Sequence, residues 1–190
     1  MKKFLFFAVA AVLLFCGCKD KKGDVVDFTV EDLVYADFDY MCHNYGCGYV
    51  WYETELTLTD FVDAEDYDGS FASMTNVFQI FGDDSTSAKD AKVVMINHVG
   101  ELMDVKEVQG CWLEDVPLDT AKIKYTYNEA YERLLEADCI KPHSKYVTLR
   151  NPLGPKQCNA QYIFGNAHGT LIFLDALTGD VSDKNPAFTE

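Results

Sequence analysis

The chain has 190 residues, of which 48% are hydrophobic and 14% aromatic, a composition typical of a folded globular protein and not of a disordered one. Its 31 acidic residues outnumber the 16 lysines and arginines, so the formal net charge is −15. A surface this acidic repels phosphate backbones and anionic lipid headgroups, which excludes nucleic acid as a partner and leaves basic proteins, cations and neutral glycans.

The N-terminus has the pattern of an export signal. Two positive charges, Lys2 and Lys3, precede residues 4–15, which carry no charged or polar side chain. This run is shorter than the roughly 20 residues that a helix needs to cross a bilayer, and it matches the apolar core of a signal peptide. We therefore expect residues 1–17 to be removed on export. Because the removed segment carries two positive charges, the remaining body has a formal net charge of about −17.

The residues that follow the apolar run, Phe15-Cys16-Gly17-Cys18, resemble the lipobox of bacterial lipoproteins. In that family a small residue precedes the cysteine that receives lipid, so Gly17 selects Cys18, while the bulky Phe15 disfavours Cys16. Leu is usual where Phe15 stands, but lipoproteins of Bacteroides-type bacteria, which the whole chain resembles, are permissive there. The resemblance implies a lipidated tether over residues 18–27, anchored in the cell envelope at the outer membrane of a Gram-negative cell. An ordinary secretory signal with incidental cysteines is the alternative.

Residues 30–42 fit two patterns. Thr29 and Asp32 have the spacing of a helix capping box, and apolar residues recur every three or four positions after them. In the second half of this segment, however, apolar and acidic residues alternate, and Val, Tyr, Phe and Asp are mediocre helix formers. Residues 43–46 would then turn the chain back onto residues 49–59 as a hairpin. We expect a strand here, with a helix as the alternative.

The rest of the body combines alternating apolar segments with one clear helix. Strands are predicted at residues 49–59, 71–81, 91–97, 105–113, 145–150, 160–165 and 170–176. The helix is predicted at about residues 127–137, where Thr126 and Glu129 form a capping box. Because no connection is long enough for repeated crossover helices, the sheet should be antiparallel. The predicted class is α+β, mainly antiparallel sheet, in a single domain over residues 28–190.

The last third of the chain is similar to PepSY and PepSY-like domains. The similarity lies in Tyr162-Ile163-Phe164-Gly165 and in the segment Asp175-Ala176-Leu177-Thr178-Gly179-Asp180-Val181. It implies a PepSY-like half over residues 120–190, in which a helix precedes three strands, after a β-rich half over residues 28–119 that does not match. PepSY modules are non-catalytic, and the related tandem architecture of beta-lactamase-inhibitor-like proteins grips an enzyme with an aromatic sheet face. The family fixes no functional residue in this chain.

A candidate binding face lies on the strand at residues 49–59. Strict alternation places one set of side chains in the core and the other on a half-exposed face. The predicted binding face consists of Tyr49, Trp51, Glu53 and Glu55. Aromatic rings beside carboxylates suit contact with a protein or a glycan. The alternative is that a second layer of the same chain covers the aromatic residues.

The sequence offers no signature of catalysis or metal binding. Cys42, His43 and Cys47 are close together, but a zinc site usually shows a second pair. The acidic run at residues 63–69 fails the spacing of a calcium-binding loop, and hydrolase elbows and phosphate loops are missing. We therefore expect no enzyme activity, no metal and no cofactor.

An odd number of cysteines follows the anchor, so they cannot all pair with one another. They are Cys42, Cys47, Cys111, Cys139 and Cys158. Disulfides between Cys42 and Cys47 and between Cys139 and Cys158 are compatible with an exported compartment. Buried thiols that act as small hydrophobic side chains are the alternative.

These features together predict a membrane-anchored cell-envelope lipoprotein that serves as a non-catalytic protein-binding or inhibitor-like module. A glycan-binding accessory lipoprotein is the second hypothesis, because Tyr49 and Trp51 are predicted beside acidic hydrogen-bond acceptors. A hydrolase with an unrecognised site is the third. The membrane contact is expected only through lipid on Cys18.

Overall fold

The computed structural model describes residues 28–62, 68–80, 91–112, 116–137, 142–165 and 169–189. Two stretches of the chain each consist of a helix followed by four strands. The first contains α1 (Val30–Tyr45), β1 (Tyr49–Leu58), β2 (Phe71–Ile80), β3 (Lys92–Val99) and β4 (Leu102–Gln109). After a short 3-10 turn at Thr120–Lys122, the second contains α2 (Tyr127–Glu136), β5 (Tyr146–Arg150), β6 (Gln161–Phe164), β7 (Ile172–Asp175) and β8 (Val181–Ser182).

All eight strands form one antiparallel sheet in the order β4-β3-β2-β1-β5-β6-β7-β8. Each stretch contributes a simple meander, and the first strand after each helix lies at the centre of the sheet. β1 and β5 pair from Glu53 opposite Arg150 to Thr57 opposite Tyr146. The order is therefore symmetric about the β1–β5 seam, with β4 and β8 at the two edges.

This architecture corrects the predicted fold class. The prediction of an α+β domain, with a PepSY-like helix and three strands over residues 120–190, is wrong. Four strands follow α2, and they continue the sheet of the first stretch. The protein is predominantly β, with two short helices. The pairing of β1 with β5 joins residues almost a hundred positions apart, which no local pattern can reveal. Smaller differences are that β4 begins three residues earlier than predicted and that β8 was not predicted.

The segment expected as a strand at residues 30–42 is the helix α1. Thr29 and Asp32 form the capping box, each satisfying a backbone N–H of the other. Val30, Val34 and Met41 are buried at helical spacing, so the apolar stripe and not the local alternation decides the structure. Burial of this stripe outweighs the weak helix propensity of the segment, and Gly46, with φ of 76°, ends the helix.

The helix predicted at about residues 127–137 is confirmed as α2. Thr126 and Glu129 form its capping box, and Tyr127, Ala130, Tyr131 and Leu134 are buried on one side. Both helices cover the same face of the sheet, since their buried residues belong to one core cluster with Phe78 and Tyr162. Among the described residues, no helix has the length and apolar character to cross a membrane.

Candidate functional site

A β-bulge divides the predicted binding face. Trp51 lies opposite Phe78 of β2, and Glu53 lies opposite the next residue, Val77, so Tyr52 is an extra residue in β1. The bulge reverses the alternation of side chains along the strand. Trp51 therefore faces the helices, whereas Glu53 and Glu55 face the opposite side of the sheet.

The four predicted residues thus have different environments. Trp51 is 5% exposed and its indole N–H donates to the carbonyl of Glu53 at 3.1 Å. Tyr49 is half-buried, and its hydroxyl donates to the carbonyl of Phe38 at 2.9 Å. Glu53 is buried beside Arg150 at the seam, with Oε2 3.2 Å from Nη1. Glu55 alone is exposed, so the structure does not bring the four side chains together as one surface.

The aromatic side chains instead gather around Phe38 of α1. The ring centroid of Phe38 lies 5.4 Å from that of Trp51 and 6.2 Å from that of Tyr49. Tyr35 and Phe78 complete the group at 6.4 and 5.7 Å. Three of the four contacts are edge-on or tilted, a geometry that aromatic rings favour. The strand residues and the helix residues therefore form one aromatic cluster, whose outermost member, Tyr35, is 66% exposed.

This cluster borders a cleft of about 140 Å³ between α1 and residues 120–126, which we call the seam cleft. Trp51, Leu149 and Tyr162 form its floor, and these residues belong to β1, β5 and β6 on both sides of the seam. The α1 wall consists of Val30, Glu31, Val34, Tyr35 and Phe38. The facing wall consists of Thr120, Ile123, Lys124, Tyr125 and Thr126. A shallower groove of about 400 Å³ adjoins it and shares Phe38, Trp51 and Thr120.

Polar contacts hold the two walls of the seam cleft in place. The carboxylate of Glu31 on α1 accepts a hydrogen bond from the backbone N–H of Tyr127 at the start of α2, at 2.8 Å. The hydroxyl of Tyr162 donates to the carbonyl of Tyr125 at 3.0 Å. Burial, and then the negative charges of Glu31 and Glu129, raise the pKa of Tyr162, so its hydroxyl stays a donor. The seam cleft is therefore a preformed apolar site with a polar frame.

A second buried group anchors α1 to the sheet. Asp37 is fully buried, and its carboxylate accepts from Nδ2 of Asn76 at 2.7 Å and lies 2.8 Å from Nε2 of His98. The amide oxygen of Asn76 in turn accepts from the hydroxyl of Thr54. All four residues are buried between α1 and the strands β1, β2 and β3. We therefore assign them a structural role, as a polar network whose members satisfy one another.

One of the two predicted disulfides lies within the described residues. Cys42 and Cys47 form a disulfide that links the end of α1 to the start of β1, so they are not zinc ligands. Cys158 is a half-buried thiol whose pKa is raised by burial and then by the negative charge of Asp175. The proposed partner Cys139 and the anchor Cys18 lie outside the described residues, as does most of the acidic run at 63–69. The described part of the chain contains no group of three side chains placed to hold a metal ion.

No family model, no curated protein and no solved structure matches this chain. The PepSY-like and lipoprotein resemblances therefore stay predictions. The sequence does not predict the contribution of α1, because its pattern favours a strand at Tyr35 and Phe38. The signal that could have located them is the helical stripe that begins at the capping residue Thr29.

Proposed function

We propose that this protein is a non-catalytic binding module that takes an apolar segment of a partner polypeptide in the seam cleft, and that lipid on Cys18 anchors it to the cell envelope. The observation that carries the first part is the seam cleft itself. Its floor of Trp51 and Tyr162 is buried, and the exposed ring of Tyr35 stands at its rim.

The size and lining of the seam cleft favour a polypeptide over a free small molecule. Small-molecule sites usually enclose about 300–1,000 Å³, whereas the seam cleft encloses about 140 Å³. That space suits one anchoring side chain, and the adjoining groove of about 400 Å³ would hold the chain on one side of it. Protein interfaces concentrate their binding energy where a side chain enters such an aromatic pocket.

The anchoring part of the proposal rests on the sequence. The apolar run, Gly17 and Cys18 supply the chemistry that lipid transfer requires, and an acidic body does not itself dock on anionic lipid. Mass spectrometry of the membrane fraction should find an acylated N-terminal Cys18. An unlipidated N-terminus at any other residue would refute the anchor.

Photo-crosslinking in the native envelope tests the binding part. A photoreactive phenylalanine analogue replaces Tyr35 at the rim of the seam cleft or, as a matched control, Tyr146 of β5. Both tyrosines are exposed, at 66% and 53%, and Tyr146 does not line the seam cleft. We expect a polypeptide adduct from position 35 that is missing from position 146. Equal adducts from both positions, or none from position 35, would contradict the proposal.

We do not propose the glycan-binding alternative. It depended on Trp51 standing beside Glu53 and Glu55 on one surface, and the bulge at Tyr52 places the indole and the carboxylates on opposite sides of the sheet. The described ranges offer no observation in favour of the hydrolase alternative, since their buried pair of Asp37 and His98 holds α1 to the sheet.

A further inference from the structure

The two edges of the sheet differ in a way that bears on self-association. β8 consists of two residues, so that edge is short. β4 has eight residues and pairs with β3 at every position without a register shift. Within the described ranges, no strand lies outside β4. Every second residue of β4 therefore directs its backbone N–H and C=O outward, and natural proteins normally protect such an edge.

The side chains of β4 protect it only in part, because three of them are charged and three others are apolar and exposed. Leu102 is 75% exposed, Met103 48% and Val108 40%. The strand contains neither proline nor bulge, and Lys106 is its one lysine. A long, regular and partly apolar edge of this kind is a template for another strand.

The sequence of β4 matches itself in one antiparallel register. A two-fold axis perpendicular to the sheet relates the second copy to the first, so the helices of both copies lie on the same side of the joined sheet. Even-numbered residues of β4 then lie opposite even-numbered residues, and odd-numbered residues lie opposite odd-numbered ones. With the axis at Val105, Asp104 lies opposite Lys106 of the second copy, and Leu102 lies opposite Val108. Moving the axis to residue 104 or 106 would instead set Asp104 against itself or Lys106 against itself, and like charges directly opposite are destabilising.

We propose that the β4 edge is a homodimer interface, in which two copies pair antiparallel about Val105 and join their sheets into one. The occupant is a second copy of this chain because charge complementarity selects that register. On the helix side, Met103 lies opposite Glu107 of the second copy. That carboxylate is already bound within its own chain, by Lys92 Nζ at 2.6 Å and the hydroxyl of Tyr45 at 2.6 Å, so it adds no unpaired charge to the interface.

This inference does not depend on the seam cleft. The seam cleft lies on the helix side at the centre of the sheet, and the β4 edge is four strands away from β5. A dimer would carry two seam clefts, which raises the avidity for a partner with repeated segments. A variant that no longer dimerises should still bind a partner in the seam cleft, and a variant that no longer binds should still dimerise.

Disulfide trapping in native membranes tests the register. Val105→Cys, in a Cys111→Ser background that removes an exposed cysteine of the described residues, places two introduced thiols opposite each other. Opposed Cα atoms lie about 4.5–5.5 Å apart in an antiparallel pair, which suits a disulfide. Met103→Cys is the matched control on the same strand and face. Its two copies would be roughly 14 Å apart along the strands, at about 3.4 Å per residue. We expect covalent dimer from Val105→Cys and none from Met103→Cys.

Charge reversal in the same background tests the pairing of charges. Asp104→Lys and Lys106→Asp each set like charges opposite each other and should lower the crosslinking yield at least tenfold. The double variant restores opposite charges and should recover the yield. Both positions are exposed, and unchanged thermal unfolding of each single variant verifies the fold. No crosslink from Val105→Cys, equal crosslinking from Met103→Cys, or a double variant that stays low would each overturn the proposal.

Discussion

Glu53 and Arg150 lie directly opposite each other across the β1–β5 seam, with Oε2 3.2 Å from Nη1. Their side chains are only 3% and 17% exposed, so solvent screens this ion pair weakly. The pair joins the first stretch of helix and strands to the second at the centre of the sheet. It is the first of the five opposed residue pairs that join β1 to β5.

Removing one partner of this pair should be costly. Arg150→Met keeps the volume of the side chain but leaves a buried carboxylate at Glu53, and we expect the free energy of unfolding to fall by about 3 kcal/mol. The double variant with Glu53→Met removes both charges and should lie within about 1 kcal/mol of the wild type. Urea denaturation followed by circular dichroism measures both values. A single variant as stable as the double variant would show that the pair does not act as described.

Trp51 is expected to behave as a core residue. It is 5% exposed and contacts Phe38 edge-on, so Trp51→Ala removes an aromatic side chain from packed surroundings. The unfolding free energy should fall by about 3–5 kcal/mol. Thermal unfolding monitored by circular dichroism provides the measurement. A fully stable Trp51→Ala variant would mean that the indole belongs to an open surface after all.

The sequence predicted the elements whose local signals agree. In α2, the capping box at Thr126 and the buried stripe from Tyr127 to Leu134 indicate the same helix. In α1, the capping box at Thr29 and weak helix formers disagree, and only packing against the sheet decides between them.

The candidate site was predicted only in part. Trp51 borders both the seam cleft and the adjoining groove, and Tyr49 borders the groove. The bulge at Tyr52 reverses the alternation, so Glu53 faces away from Trp51, and the order of polar and apolar residues in the sequence does not reveal this reversal. The floor of the seam cleft also requires Leu149 and Tyr162, which the distant pairing of β5 with β1 brings into place.

The network under α1 should depend on a donor at position 98. His98→Leu leaves one oxygen of the buried Asp37 without its 2.8 Å partner, and should cost about 1–3 kcal/mol of unfolding free energy. His98→Gln places an amide donor near the position of Nε2 and serves as the matched control, with a smaller loss. Chemical denaturation separates the two variants. Equal losses would indicate that the ring packing, and not the hydrogen bond, stabilises α1.

Stability should decline in alkaline solution partly through Tyr45. Burial, and then its hydrogen bond to Glu107, raise the pKa of Tyr45 from 10.0 to about 12. A pKa that folding raises contributes stability that is complete below about pH 10 and is lost as the pH rises through about 12. Tyr45→Phe should therefore flatten this decline, measured as the urea midpoint between pH 9 and pH 12. An equally steep decline in Tyr45→Phe would contradict the assignment. Part of the decline should persist, because folding also raises the pKa of Tyr49, Tyr131 and Tyr162.

Binding of a selected peptide tests the seam cleft most directly. A random peptide library displayed on phage is selected on the full-length wild-type protein, and the affinity of the best peptide is then measured by calorimetry for the wild type, Tyr35→Ala and Tyr146→Ala. We predict a peptide with an apolar or aromatic anchor, whose affinity falls about tenfold, equivalent to about 1.4 kcal/mol, in Tyr35→Ala and is unchanged in Tyr146→Ala. Equal affinity for all three proteins, or no selected peptide at all, would contradict the assignment of the seam cleft as the binding site.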